Sequence, residues 1–187
     1  VYADYVTTVS PTYAHEITTV EGGEGLSGLM CAKRNKLRGI LNGIDYEEYN
    51  PQTDPYIPVN YIRKDALVGK KRNKTALQKE LGLPVKDDVF MLGIVSRMTS
   101  QKGFDLISYA LEELLPELKI QMVVIGSGEG QYENMFRSFQ SRYPEKLNVY
   151  IGYSEERSHK VYAACDALLM PSMFEPCGLS QMISMRY

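Results

Sequence analysis

Beyond Asp88 the chain alternates between two hydrophobic patterns, and the alternation repeats. Residues 89–95 form a continuous apolar run, the signature of a strand buried on both faces. The next segment, 104–115, carries Ile107, Ala110, Leu111 and Leu114 at helical spacing. Residues 121–125, 147–151 and 167–170 read as further strands. Residues 131–142 and 155–164 read as helices, and another helical run opens at Gly178. Four strand–helix units in succession predict an α/β fold: a Rossmann-like parallel sheet with helices on both faces. In such sheets ligands sit at the carboxyl ends of the strands, so the loops after them are where chemistry is expected.

Upstream the pattern is less regular. Residues 5–9 read as a β-branched strand. Ser10 can cap a helix that has Pro11 in its first turn and runs through Tyr13, Ala14 and Ile17. This strand–helix unit has no sheet of its own in the sequence pattern. The Gly-rich stretch 21–28 lacks phosphate-loop spacing and reads as a flexible surface loop. Residues 37–41 read as a short strand ending at an Asn42-Gly43 turn. The Pro- and Tyr-containing connector 50–58 marks a domain boundary just before it. Residues 65–81 read as a helix stopped by Gly82 and Pro84, with Lys70, Lys71, Arg72 and Lys74 on a solvated face.

Length and composition narrow the classes. At 187 residues the chain holds one ordinary domain and part of another. Charged residues are 24% and the net charge is −2, which argues against a broad nucleic-acid footprint. No run of ~18 apolar residues suggests a membrane span, and the start at Val1 has no signal-peptide pattern. Three cysteines without metal or redox spacing fit a reducing compartment. His15 and His159 have no ligand partners at useful sequence spacing, so no metal is expected. Both ends look interrupted, and the chain reads as a fragment of something longer.

Two loops carry candidate chemistry. Arg97 and Lys102 follow the strand 89–95, with Thr99 or Ser100 available to cap the next helix and Gly103 giving backbone access. Two cations at a helix start suit a diphosphate, although the spacing alone also fits two surface charges. Glu175, Pro176 and Gly178 follow the strand 167–170. Pro fits a first helical turn, Gly admits a ligand to the backbone, and free N–H groups at a helix start attract phosphate. Glu175 is then either an acid beside an anion cradle or a plain helix-terminal charge. Cys177 reads as a packing residue. The run from Gly126 to Gly130 is a tight turn without the dinucleotide-binding spacing, so an NAD site is unsupported. Asn42 reads as a turn residue, and Tyr153 alone among 14 tyrosines says little.

The hexapeptide Phe174-Glu175-Pro176-Cys177-Gly178-Leu179 resembles the E-P-C-G-L motif of bacterial glycogen synthases and plant starch synthases, retaining glycosyltransferases of the GT-B fold. Four further segments support the resemblance in the family's order. They are Ala3-Asp4 with Val9 to Ala14, Leu41 to Asp45, Ser96 to Gly103, and Ile151-Gly152-Tyr153. The resemblance implies that Arg97 and Lys102 contact a nucleotide diphosphate and stabilise charge on the departing group. It places Glu175 near the donor sugar, Asn42 in the cleft near that sugar, and Tyr153 against the base. The backbone of Gly178, Leu179 and Ser180 would meet the donor phosphates; the family often has Thr at the position of Ser180. Residues 1–45 would be the end of an N-terminal, acceptor-side domain with its hinge, and 46–187 a truncated nucleotide-sugar-binding domain.

The implied activity is glucose transfer from ADP-glucose to the non-reducing end of an α-1,4-glucan, with retention. No cofactor beyond the donor, no nucleic acid and no membrane partner is implied, and the oligomeric state stays open. The implied compartment is the cytoplasm for a bacterial protein and the plastid for a plant one. The isolated fragment is expected to be inactive. Another retaining GT-B transferase and a non-catalytic nucleotide-binding module remain as alternatives.

Overall fold

The structure, a computed structural model, describes residues 2–187. The chain divides into two compact units, Val1–Ile44 with Glu175–Leu179, and Asp45–Phe174 with Ser180–Tyr187.

In the first unit, β1 (Val6–Thr8) pairs in parallel with β2 (Leu37–Gly39), Val6 opposite Leu37. The amino-terminal strand therefore does have a sheet, two strands wide, contrary to the sequence expectation. Each strand is three residues long, too short for its pairing to show as a pattern. Between them lie α1 (Pro11–Glu16) and α2 (Ser27–Ala32). Ser10 caps α1 as expected, its hydroxyl accepting from the Tyr13 N–H at 3.0 Å. Ser10 has φ 136°, a region that L-residues enter at a cost of ~1–3 kcal/mol. α2 begins inside the stretch that reads as a loop. Its N-cap is Leu26, which supplies no side-chain bond, so no start signal announces the helix.

The second unit holds α3 (Ala66–Glu80), β3 (Phe90–Val95), α4 (Phe104–Glu117), β4 (Ile120–Gly126), α5 (Gly130–Arg142), β5 (Leu147–Ile151), α6 (Glu155–Ala164) and β6 (Ala167–Leu168). It also holds all but the first residue of α7 (Leu179–Arg186). The four strands form one parallel sheet in the order β5-β4-β3-β6. β4 is central and every residue of it is buried. Its alternating side chains feed two cores. Met122 and Val124 join Ile94, Ile107 and Leu111 of α4, and Phe136 and Phe139 of α5. Val123 and Ile125 join Met91, Leu77 of α3, and Val161 and Ala164 of α6. Helices thus cover both faces, as the continuous apolar strands require.

Three expectations are corrected in this unit. β6 ends at Leu168, two residues short of the apolar run; the Leu169 N–H still donates to the Gly93 carbonyl at 2.8 Å, and Pro171 then has no N–H with which to continue the ladder. Lys74 is not on a solvated face. It is buried, and its ammonium donates to the Val89 carbonyl and to Asp166 Oδ2 at 2.6 Å. Lys70 likewise turns inward, donating to the Tyr162 carbonyl at 2.9 Å, and desolvation lowers its pKa. Finally, neither Thr99 nor Ser100 caps α4 with its side chain. A single 3-10 turn, Ser100–Lys102, intervenes, and Gly103 takes the cap position at φ 71°. A Cβ there would lie 2.1 Å from the Pro171 carbonyl oxygen, so only glycine fits.

Candidate functional site

The carboxyl ends of β3, β4 and β5 surround a cavity of about 280 Å³ inside the second unit. Val95, Ser96 and Arg97 come from the end of β3, Ile125, Gly126 and Ser127 from β4, and Gly152 and Tyr153 from the loop after β5. One turn of α6 and its continuation add Glu155, Ser158, His159 and Tyr162, and Tyr49 and Ser180 complete the lining. The parallel topology produces this arrangement, since every strand delivers its following loop to the same end of the sheet.

Three of the sequence-predicted residues meet here: Arg97, Tyr153 and Ser180. Arg97 is exposed, and its guanidinium makes no ion pair or hydrogen bond to the described residues. It is a cation without an internal partner on the wall of a cavity. Tyr153 is 83% exposed, so its ring serves no core and is open to a flat ligand. The Ser180 hydroxyl donates to the Val95 carbonyl at 3.2 Å, which fixes the start of α7 to the end of β3. Met98 donates to the Ser127 carbonyl at 2.9 Å, and Glu129 donates back to the Met98 carbonyl at 2.7 Å, which ties the two loops together.

Lys102 ends the 3-10 turn in the same β3–α4 loop, half-buried and outside the lining of this cavity. Gln101 anchors the segment that precedes Glu175. Its carbonyl accepts from the Met173 N–H at 2.9 Å, and its side chain donates to the Phe174 carbonyl at 3.0 Å. Glu175, Gly178, Leu179 and Asn42 belong to the first unit. Within it Asn42 is exposed, Glu175 is half-buried, Leu179 is the exposed first residue of α7, and Gly178 is buried with φ 79°.

One group of residues escapes sequence reading. His159 is 1% exposed, and its Nδ1 lies 2.7 Å from Asp54 Oδ2. The Tyr187 hydroxyl donates to the same carboxylate oxygen. Tyr49 stacks on the imidazole at a centroid distance of 5.0 Å. Burial and the nearby Glu48 charge push the Tyr49 phenol up to about 12. The carboxylate and the imidazole stand far apart in sequence, and no spacing rule joins them.

Comparison with known proteins gives the chain its family. Residues 73–186 match the family model described as glycosyl transferases group 1. The chain belongs to that family. Residues 1–32 match a second model, the starch synthase catalytic domain. Over its full length the chain is 58% identical to the glycogen synthase of Lachnospira eligens, of which it covers 39%. It superimposes with a TM-score of 0.92 on the catalytic domain of starch synthase IV from Arabidopsis thaliana bound to ADP and acarbose. There the identity is 42%, with all of this chain and 38% of that one covered. Sucrose-phosphate synthase from Thermosynechococcus elongatus, 19% identical, shares the fold at a TM-score of 0.59 over 98% of this chain and 38% of its own. The resemblance carried by the E-P-C-G-L segment is thus matched along the whole chain, and the fold is that of the GT-B glycosyltransferases. The chain spans about two-fifths of the length of the curated relatives it matches.

Proposed function

We propose that this chain carries the donor side of an α-1,4-glucan synthase. Such an enzyme transfers glucose from ADP-glucose to the non-reducing end of a glucan and retains the anomeric configuration. The observation that carries the reading is the cavity at the strand ends, with the exposed Arg97 guanidinium, unpaired among the described residues, and the open Tyr153 ring on its wall. These are the two groups a nucleotide diphosphate needs: a cation for the phosphates and a flat face for the base.

In this reading Arg97 and Lys102 neutralise the diphosphate as the leaving group gains charge. Backbone N–H groups of Gly178, Leu179 and Ser180 share that work at the start of α7. Tyr153 lies against the base, and Glu175 and Asn42 serve the donor sugar. The protein cations take the role that a metal ion plays elsewhere at diphosphates, so transfer needs no cofactor. The acceptor glucan and the compartment, a bacterial cytoplasm or a plastid, follow from the same reading. Residues 1–45 are then the end of the acceptor-side domain and 46–187 the donor domain.

Transfer also needs a closed, dry site that holds sugar and acceptor from the opposite side. The test is calorimetric titration of the purified chain with ADP and with UDP, beside radiolabelled glucose incorporation into glycogen. Weak ADP binding without elongation is expected. A folded chain that ignores ADP at millimolar concentration counts against the donor site. Elongation by the chain alone overturns the division of labour between domains. Preference for UDP favours another retaining GT-B transferase.

A further inference from the structure

The buried imidazole of His159 is arranged as metal-ligating imidazoles are. Asp54 holds its Nδ1 side at 2.7 Å. Asp54 is itself fixed: its Oδ1 accepts from the Tyr56 N–H at 2.8 Å, and its Oδ2 from the Tyr187 hydroxyl. A carboxylate on one ring nitrogen keeps the proton there and leaves the lone pair on the other. That other nitrogen, Nε2, is buried and has no hydrogen-bond partner among the described residues. Buried polar atoms are rarely left so, and an unpartnered one asks for an explanation.

Two carboxylates stand beside the imidazole. Glu155 is the first residue of α6 and lies one turn before His159, so both project on one helix face. Glu48 comes from the segment that also supplies Tyr49 to the stack on His159. Ligand atoms of Glu48, Glu155 and His159 all lie within 4.8 Å of one another, and among the described residues this is the one such group. Tetrahedral bonds of ~2.0–2.1 Å imply ligand separations of roughly 3.3 Å. Glu48 is exposed and Glu155 half-buried; the Glu48 carboxylate, which accepts from the Tyr49 phenol, must turn to close the gap.

We propose that Glu48, Glu155 and His159 form a binding site for a divalent transition metal of the zinc class, with His159 ligating through Nε2 and Asp54 orienting the ring. Imidazole with carboxylate suits zinc, cobalt or nickel rather than magnesium or calcium. The ion neutralises two neighbouring carboxylates and satisfies the orphaned nitrogen. Glu155 and His159 also line the strand-end cavity, which gives the ion an entry path. It is separate from the diphosphate's counter-charge, which Arg97 and Lys102 supply. The sequence expectation of no metal rests on the spacing around His15 and His159, and Glu48 lies far from His159 along the chain. The pairing of Glu155 with His159 one helical turn apart was the site's only local trace.

The test uses the chain stripped of metal by a chelator. Zinc is titrated calorimetrically, and cobalt(II) by visible absorption. We expect one equivalent to bind with a micromolar or tighter Kd, and cobalt to show a tetrahedral spectrum without thiolate charge transfer, which excludes Cys31 and Cys177 as ligands. Glu48→Gln and Glu155→Gln should each weaken zinc at least about 10-fold, and Asp54→Asn by about 10–100-fold, the range for a partner behind a ligand. If Asp54→Asn fails to fold by circular dichroism, the two carboxylate variants decide the matter. Absence of binding at millimolar zinc, unchanged affinity in the Glu48→Gln/Glu155→Gln double variant, or a thiolate band would each overturn the proposal.

Discussion

Arg97→Ala separates a ligand-binding cation from a structural one. The guanidinium has no partner among the described residues and is exposed, so its removal should change folding stability by less than ~0.5 kcal/mol. A charge-assisted hydrogen bond contributes about 1.5–3 kcal/mol. At 1.4 kcal/mol per decade this corresponds to a Kd change of about 10–150-fold. Coulomb's law brackets it similarly. A pair at ~4 Å gains ~1 kcal/mol in bulk water and ~4 kcal/mol near a protein surface. Because Arg97 faces solvent, the lower part of that span applies, and we expect ADP affinity to fall about 10–30-fold. Arg97→Lys should recover part of the loss, since the charge remains but the bidentate fork does not. The assay is calorimetric titration with ADP at low and high salt, beside thermal melts. Wild-type affinity should drop as salt rises, because screening shortens from ~10 Å at 0.1 M to ~3 Å at 1 M. The variant should respond less. Unchanged ADP affinity in Arg97→Ala, or a loss matched by a fall in Tm, would refute the argument.

Tyr153 and Cys165 each have an expected outcome of their own. Tyr153→Ala should weaken ADP by the ~1–3 kcal/mol of base stacking, leave Tm unchanged, and spare pyrophosphate; equal losses for both ligands would show that the ring does not meet the base. Burial raises the Cys165 thiol to about 12 from its ordinary 9.0, so between those values the unfolded chain binds fewer protons and stability falls as pH rises. The loss at pH 10 should be about 1.4 kcal/mol, and urea melts at about pH 8 and about pH 10 should show it shrink in Cys165→Ala; an undiminished alkaline loss in that variant would put its origin elsewhere.

The parallel sheet was legible because strands buried on both faces read as nearly continuous apolar runs. β5 and α6 match the sequence reading to the residue. Legibility failed where one partner of an interaction is distant. Lys74 sits among basic neighbours on a helix and reads as solvated, yet Asp166 and the Val89 carbonyl draw it inside. α2 went unseen because its start has no capping side chain. The same division holds at the site. Arg97, Tyr153 and Ser180 follow strand ends, where topology alone delivers side chains to one place. Asp54, His159 and Tyr187 come from three separate segments, and only the folded chain joins them.

That last cluster makes a prediction of its own. Asp54 is 2% exposed and takes donors from His159, Tyr187 and the Tyr56 backbone. Burial, then the neighbouring Asp54, raise the Tyr187 phenol far above its ordinary range, so it stays protonated and donates at any physiological pH. Tyr187→Phe removes this donor while keeping the ring and the hydrogen bond from the Tyr61 hydroxyl to the Tyr187 carbonyl at 2.7 Å. A buried carboxylate then lacks one partner, at a cost of about 1.5–3 kcal/mol. With ~2–4 °C lost per kcal/mol in a chain of this size, Tm should fall by roughly 3–12 °C in scanning calorimetry. The imidazole would also lose a restraint, so its ring protons should broaden or shift in NMR spectra. A Tm within about 1 °C of wild type would mean that water reaches Asp54 and replaces the hydroxyl, because an unsatisfied buried carboxylate cannot be that cheap.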